Sequence, residues 1–63
     1  MKSVNIQLDE KNSLEITQIE ENLFEVRLGM NGNISVYYMT REQLLNFDQL
    51  GAHLQIESIL ELD

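Results

Sequence analysis

Apolar and polar residues alternate from residue 2 to residue 9, with Val4, Ile6 and Leu8 facing one way and Ser3, Asn5, Gln7 and Asp9 the other. A period of two is that of a half-buried strand. Asp9, Glu10, Lys11 and Asn12 read as a turn, and residues 13–20 resume the pattern with Leu14 and Ile16. The alternation loses phase at Ile19, where a bulge would account for the slip. Residues 23–28 form a third run, with Phe24, Val26 and Leu28 on one face and Leu23, Glu25 and Arg27 on the other. An Asn31-Gly32 pair, tolerant of positive φ, then suits a hairpin turn, and residues 34–39 supply the β-branched and aromatic side chains of a fourth strand. Short connections throughout favour an antiparallel meander.

The period changes at Thr40. Thr40 and Gln43 have the spacing of a capping box, and Met39 and Leu44 that of a hydrophobic staple. Leu44, Leu45, Phe47 and Leu50 make an apolar stripe at helical spacing, and Glu42 suits the positive end of the helix dipole. A helix over residues 40–50 is predicted, with Gly51 placed to end it. Ala52 and His53 lead into residues 54–63, where alternation puts Leu54, Ile56, Ser58, Leu60 and Leu62 on one side and Gln55, Glu57, Ile59, Glu61 and Asp63 on the other. This predicts a closing strand with one core face and one acidic face. The expected fold class is α+β: a single domain over residues 1–63, an antiparallel β-sheet of four to five strands with one α-helix packed on one face.

Sixty-three residues bury only a marginal core, about 60% of the unfolded surface. Small domains gain support from disulfides, metals or oligomerisation. The chain has no cysteine and a single histidine, His53, so a homodimer is the expected supplement and neither a metal nor another cofactor is expected. The sequence shows no apolar run of membrane-spanning length and no signal-peptide core near Met1, from which a soluble cytoplasmic protein is expected, without membrane contact.

Eleven acids against four bases give a formal net charge of −7. Such a body is repelled by phosphate, so direct binding to nucleic acid is not expected, while a basic groove would attract it. No catalytic signature is present, and the expectation is a non-enzyme. His53 lacks a plausible nucleophile, since Ser58, the nearest hydroxyl in sequence, falls on the core side of the predicted strand. Lys2, Lys11, Arg27 and Arg41 are scattered and form no phosphate-tracking stripe. Tyr38 is expected in the core, and Tyr37, on the opposite face of its strand, at an interface.

Residues two apart on a strand lie about 6.6 Å from one another, comparable with successive phosphates along a nucleic acid. Glu57, Glu61 and Asp63 could therefore imitate phosphates, with Ile59 as an apolar contact among them, or could guard an exposed edge against aggregation.

At Gln55-Ile56-Glu57-Ser58-Ile59-Leu60 the chain resembles phage and staphylococcal uracil-DNA glycosylase inhibitors, small acidic DNA mimics with a Glu-Ser-Ile segment. The resemblance implies that Glu57 stands in for a DNA phosphate, that Ser58 adds a polar contact and that Ile59 helps wall a pocket for the enzyme's DNA-intercalating side chain. Shorter dimeric inhibitors of the same enzyme offer a second likeness, in the order Tyr37-Tyr38, residues 40–50, Gly51 and residues 56–62. In the Glu-Ser-Ile inhibitors that segment lies nearer the N-terminus. The expected function is inhibition of uracil-DNA glycosylase by occupation of its DNA-binding groove, through Gln55, Glu57, Ser58, Ile59, Glu61 and Tyr37. The alternatives are a mimic directed at another DNA-binding protein, such as a CRISPR or restriction effector, and a small structural or regulatory homodimer that pairs through an exposed strand.

Overall fold

A computed structural model describes residues 2–48 and 55–60. Four strands, β1 (Ser3–Gln7), β2 (Asn12–Glu20), β3 (Leu23–Met30) and β4 (Asn33–Met39), form one antiparallel sheet in the order β1-β2-β3-β4. Helix α1 (Arg41–Phe47) and a single turn of helix, α2 (Ile56–Ile59), follow. The α+β architecture is the expected one, with the sheet and a helix against one face. No helix among the described residues is long and apolar enough to cross a membrane.

Local chemistry sets each connection. The Asp9 carboxylate accepts from the backbone N–H groups of Lys11 (2.8 Å) and Asn12 (2.9 Å) and from the Asn12 side chain (2.7 Å), closing the β1–β2 turn. Chiefly the Lys11 bond, then that of the Asn12 side chain, holds the Asp9 carboxyl below its ordinary pKa. In β2 the register slips between Gln18 and Glu20, the bulge anticipated at Ile19. Asn31 (φ 53°) and Gly32 (φ 86°) turn β3 into β4 with two left-handed residues, the conformation whose twist matches the flanking strands.

Alpha-helix α1 starts as its residues dictate. Thr40 Oγ1 accepts from the Gln43 N–H (3.2 Å) and Gln43 Oε1 from the Thr40 N–H (3.0 Å), completing the capping box. A further cap comes from the sheet: Asn22, in the β2–β3 turn, accepts from the Arg41 N–H at 2.9 Å. Residues 49–54 lie outside the described residues, and with them the expected end of the helix at Gly51 and the connector residue His53.

The core joins Leu14 and Ile16 of β2, Phe24 and Val26 of β3, Leu44 of α1, and Ile56 and Leu60 of the closing segment. Met39 packs partly buried against this cluster, as the staple requires.

Two expectations are corrected. Residues 56–59 are helical, so the predicted closing strand does not form there: Leu60 donates to the Ile56 carbonyl (2.9 Å) and Ser58 to that of Gln55 (3.0 Å). A spacing of four residues puts Ile56 and Leu60 on one face of a strand and equally on one face of a helix, and both are buried. Ser58 separates the two periods; on a strand it would share their buried face, and it is exposed. Residues 54 and 61–63 lie outside the described residues.

The second correction reverses β4. The two-residue turn pairs Met30 with Asn33, which sets Phe24 opposite Met39, Val26 opposite Tyr37 and Glu25 opposite Tyr38. Met39 must face the core to meet α1, so Tyr37 shares the helix side of the sheet and Tyr38 stands on the far face.

Candidate protein-docking surface at β4

The far face of the sheet changes character from one edge to the other. Its cross-strand rows run Gln7–Ser13–Gly29–Ile34, Asn5–Glu15–Arg27–Val36 and Ser3–Thr17–Glu25–Tyr38. Polar residues occupy β1 and β2, an ion pair of Arg27 with Glu25 (2.8 Å) lies on β3, and Ile34, Val36 and Tyr38 line β4. The apolar stripe thus sits at the sheet's edge. Ile34 is 72% exposed, Val36 45% and Tyr38 61%.

Backbone geometry adds to this stripe. A two-residue hairpin makes its closing pair, Met30 with Asn33, a hydrogen-bonded one, and hydrogen-bonded and non-hydrogen-bonded pairs alternate from there. Ile34, Val36 and Tyr38 fall in the non-hydrogen-bonded pairs, so their N–H and C=O groups point away from β3. Among the described residues β4 pairs with β3 alone, and this side of it is open. Edge strands are commonly protected by charge, proline or a bulge. From Asn33 to Met39 there is none of these, and no residue between Arg27 and Arg41 carries a charge.

The helix side is open here as well. Tyr37, 49% exposed, borders a cleft of about 240 Å³ lined also by Leu14, Val26, Leu28, Met39 and Phe47. β4 therefore presents apolar side chains on both faces and backbone hydrogen-bonding groups between them. On the far face Tyr38 Oη donates to Glu25 Oε2 at 3.0 Å, and Arg27 Nε binds Glu25 Oε1. The bond to Glu25, and then its negative charge, raise the Tyr38 hydroxyl above its ordinary pKa.

Of the residues anticipated for partner binding, Tyr37 borders the cleft on the helix side. Gln55 and Ser58 are exposed and joined through the backbone, the Ser58 N–H donating to the carbonyl of Gln55, which precedes α2 in a left-handed conformation (φ 57°). The backbones of Glu57 and Ile59 belong to α2; their side chains, and Glu61 entirely, lie outside the described residues. A row of carboxylates at strand spacing is thus not formed within residues 56–59. The expectation of a core Tyr38 is likewise replaced by an exposed, hydrogen-bonded one. Ile34, Val36 and Tyr38 were missed as surface residues, although the uncharged run between Arg27 and Arg41 was their signal.

Among the described residues no three His, Cys, Asp or Glu side chains gather as a metal site. Comparison with protein-family models, curated proteins and solved structures gave no match.

Proposed function

We propose that this chain is a protein-binding domain that docks by strand addition at β4. One observation carries the reading: the residues whose backbone groups face the open edge, Ile34, Val36 and Tyr38, are also those whose side chains form the exposed apolar stripe. An added strand would satisfy the first and cover the second, the combination on which strand-addition recognition rests. Site-specific photo-cross-linking tests it. A photoreactive residue at Ile34 or Tyr38, in cells making the protein, should yield cross-linked protein adducts, whereas one at Glu10 should not. Adducts absent from both β4 positions would refute the docking surface.

A second reading is favoured by the net charge of −7 and by exposed Ser58 within the Glu57-Ser58-Ile59 segment. In it the chain inhibits uracil-DNA glycosylase, or another DNA-handling protein, by occupying a basic groove as a DNA mimic, without itself contacting nucleic acid. The support is electrostatic, so binding should weaken steeply as salt rises. Titration into a glycosylase assay on uracil-containing DNA tests it: Glu57→Gln should relieve inhibition more than Glu20→Gln. Full enzyme activity at a large molar excess of the chain would remove the glycosylase as the target, and failure of a bacterial lysate to yield any DNA-handling protein bound to the chain at low salt would remove the mimic reading altogether.

A further inference from the structure

We infer that the strand added at β4 is the β4 strand of a second copy of this chain, antiparallel across a two-fold axis through Val36. This inference rests on the docking surface proposed above and names its occupant.

Charge narrows the choice of surface. Two bodies of net charge −7 repel, and they approach most readily where neither carries charge. β4 is such a strand, inside the long uncharged run of the chain. Its side-chain order is also self-complementary. With Val36 on the axis, Val36 meets Val36 of the partner subunit, Ile34 meets Tyr38 of the partner subunit, and Ser35 meets Tyr37 of the partner subunit. On the far face this joins two apolar stripes through aromatic and β-branched pairs, which are among the favourable cross-strand combinations. On the helix side the small Ser35 leaves room for the tyrosine opposite it, beside the cleft at Leu28.

The backbone agrees with the same register. Ile34, Val36 and Tyr38 direct their N–H and C=O groups outward, and in this pairing each meets a residue of that same set. About six inter-subunit hydrogen bonds result, two for each of the three facing pairs. A shift by one residue would set these groups opposite residues whose backbone is already bonded to β3. The contact is isologous and closes on itself, so it ends at a dimer of two four-stranded sheets fused into one.

The absence of cysteine makes the register measurable. Val36→Cys places two thiols on the axis, within reach of a short thiol-specific cross-linker. In Ile34→Cys the two copies of residue 34 lie about 13 Å apart along the strands, beyond that reach. Val36→Cys should therefore cross-link to a dimer, Ile34→Cys alone should not, and a mixture of Ile34→Cys with Tyr38→Cys should. In sedimentation, the unmodified protein should approach twice its 7.3 kDa mass at high concentration. Added salt should tighten the association by screening the repulsion. Val36→Lys should weaken it at least tenfold with an unchanged circular dichroism spectrum, and Ser3→Lys on the opposite edge should not.

A monomer at millimolar concentration in both low and high salt overturns the inference, as does a Val36→Lys variant that dimerises unchanged or a dimer whose Val36→Cys form resists cross-linking. If self-pairing fails while positions 34 and 38 still photo-cross-link to a different protein, the docking surface stands and only its occupant is wrong.

Discussion

The buried Asp48 carboxylate accepts a hydrogen bond from the backbone N–H of Ile56 at 3.0 Å. Asp48 is the C-terminal cap residue of α1 and Ile56 the first residue of α2, so one side chain ties the end of one helix to the start of the next. Gln55, at the usual capping position of α2, makes no side-chain cap. Asp48 supplies it from eight residues upstream.

Asp48→Ala should accordingly lower unfolding stability by about 1.5–3 kcal/mol, the range for a hydrogen bond to a charged group. Asp48→Asn keeps an acceptor and should cost less. Urea denaturation of the two variants measures the difference; equal losses would mean that the carboxyl acts by its charge and not as an acceptor.

The closing segment makes a sharper test of helix against strand. Ile56→Ala removes a wholly buried side chain and should cost about 2–5 kcal/mol, while Ser58→Ala should change stability by less than about 0.5 kcal/mol. At its exposed position on the helical turn Ser58→Leu should be tolerated without loss of the native fold, whereas a buried strand position would be overpacked by the enlarged side chain.

At the start of α1, Thr40→Ala should cost about 1 kcal/mol, the typical value of a cap. Asn22→Ala should cost a comparable amount although it lies nineteen residues from the N–H that it caps. The two act on different N–H groups of one helix end, and thermal unfolding of the single and double variants shows whether their effects add.

Tyr38 provides a titration. Its neutral hydroxyl donates to Glu25, so its folded pKa lies above the ordinary value of about 10. Any stabilisation from this pair is complete below the unfolded-state pKa and is lost as pH rises through the higher folded value. In a Tyr37→Phe background, absorbance of the remaining phenolate should rise at a pH above the ordinary value. Glu25→Gln should bring that midpoint down.

Much of the architecture was legible because its causes are local. Alternation marked the four strands, Asn31 and Gly32 supply the two positive φ angles of the hairpin, and the Thr40–Gln43 box needs only three residues of separation. What was misread depends on register or on distant partners. Ile56 and Leu60 satisfy both periods, and only the packing of both beside Leu44 selects the helix. Tyr37 and Tyr38 are adjacent aromatics that fit either phase; the pairing of Met30 with Asn33 decides between them. Asp48 and Asn22 cap N–H groups far along the chain, and neither carries a sequence pattern that announces it. The β4 surface was partly legible, in the missing charges between Arg27 and Arg41, but its direction depended on the same register.

The meander has a kinetic consequence. Each strand pairs with its neighbour in sequence, so the sheet assembles by closing short loops, the contact order that favours rapid folding. Hairpin β2–β3 supplies four core side chains from within a short stretch of chain, and disturbing it should slow folding more than disturbing β1. Because no strand waits on another chain to find its place, copies of the protein would meet as finished bodies, and their association rate would report collision and orientation of edges, not folding.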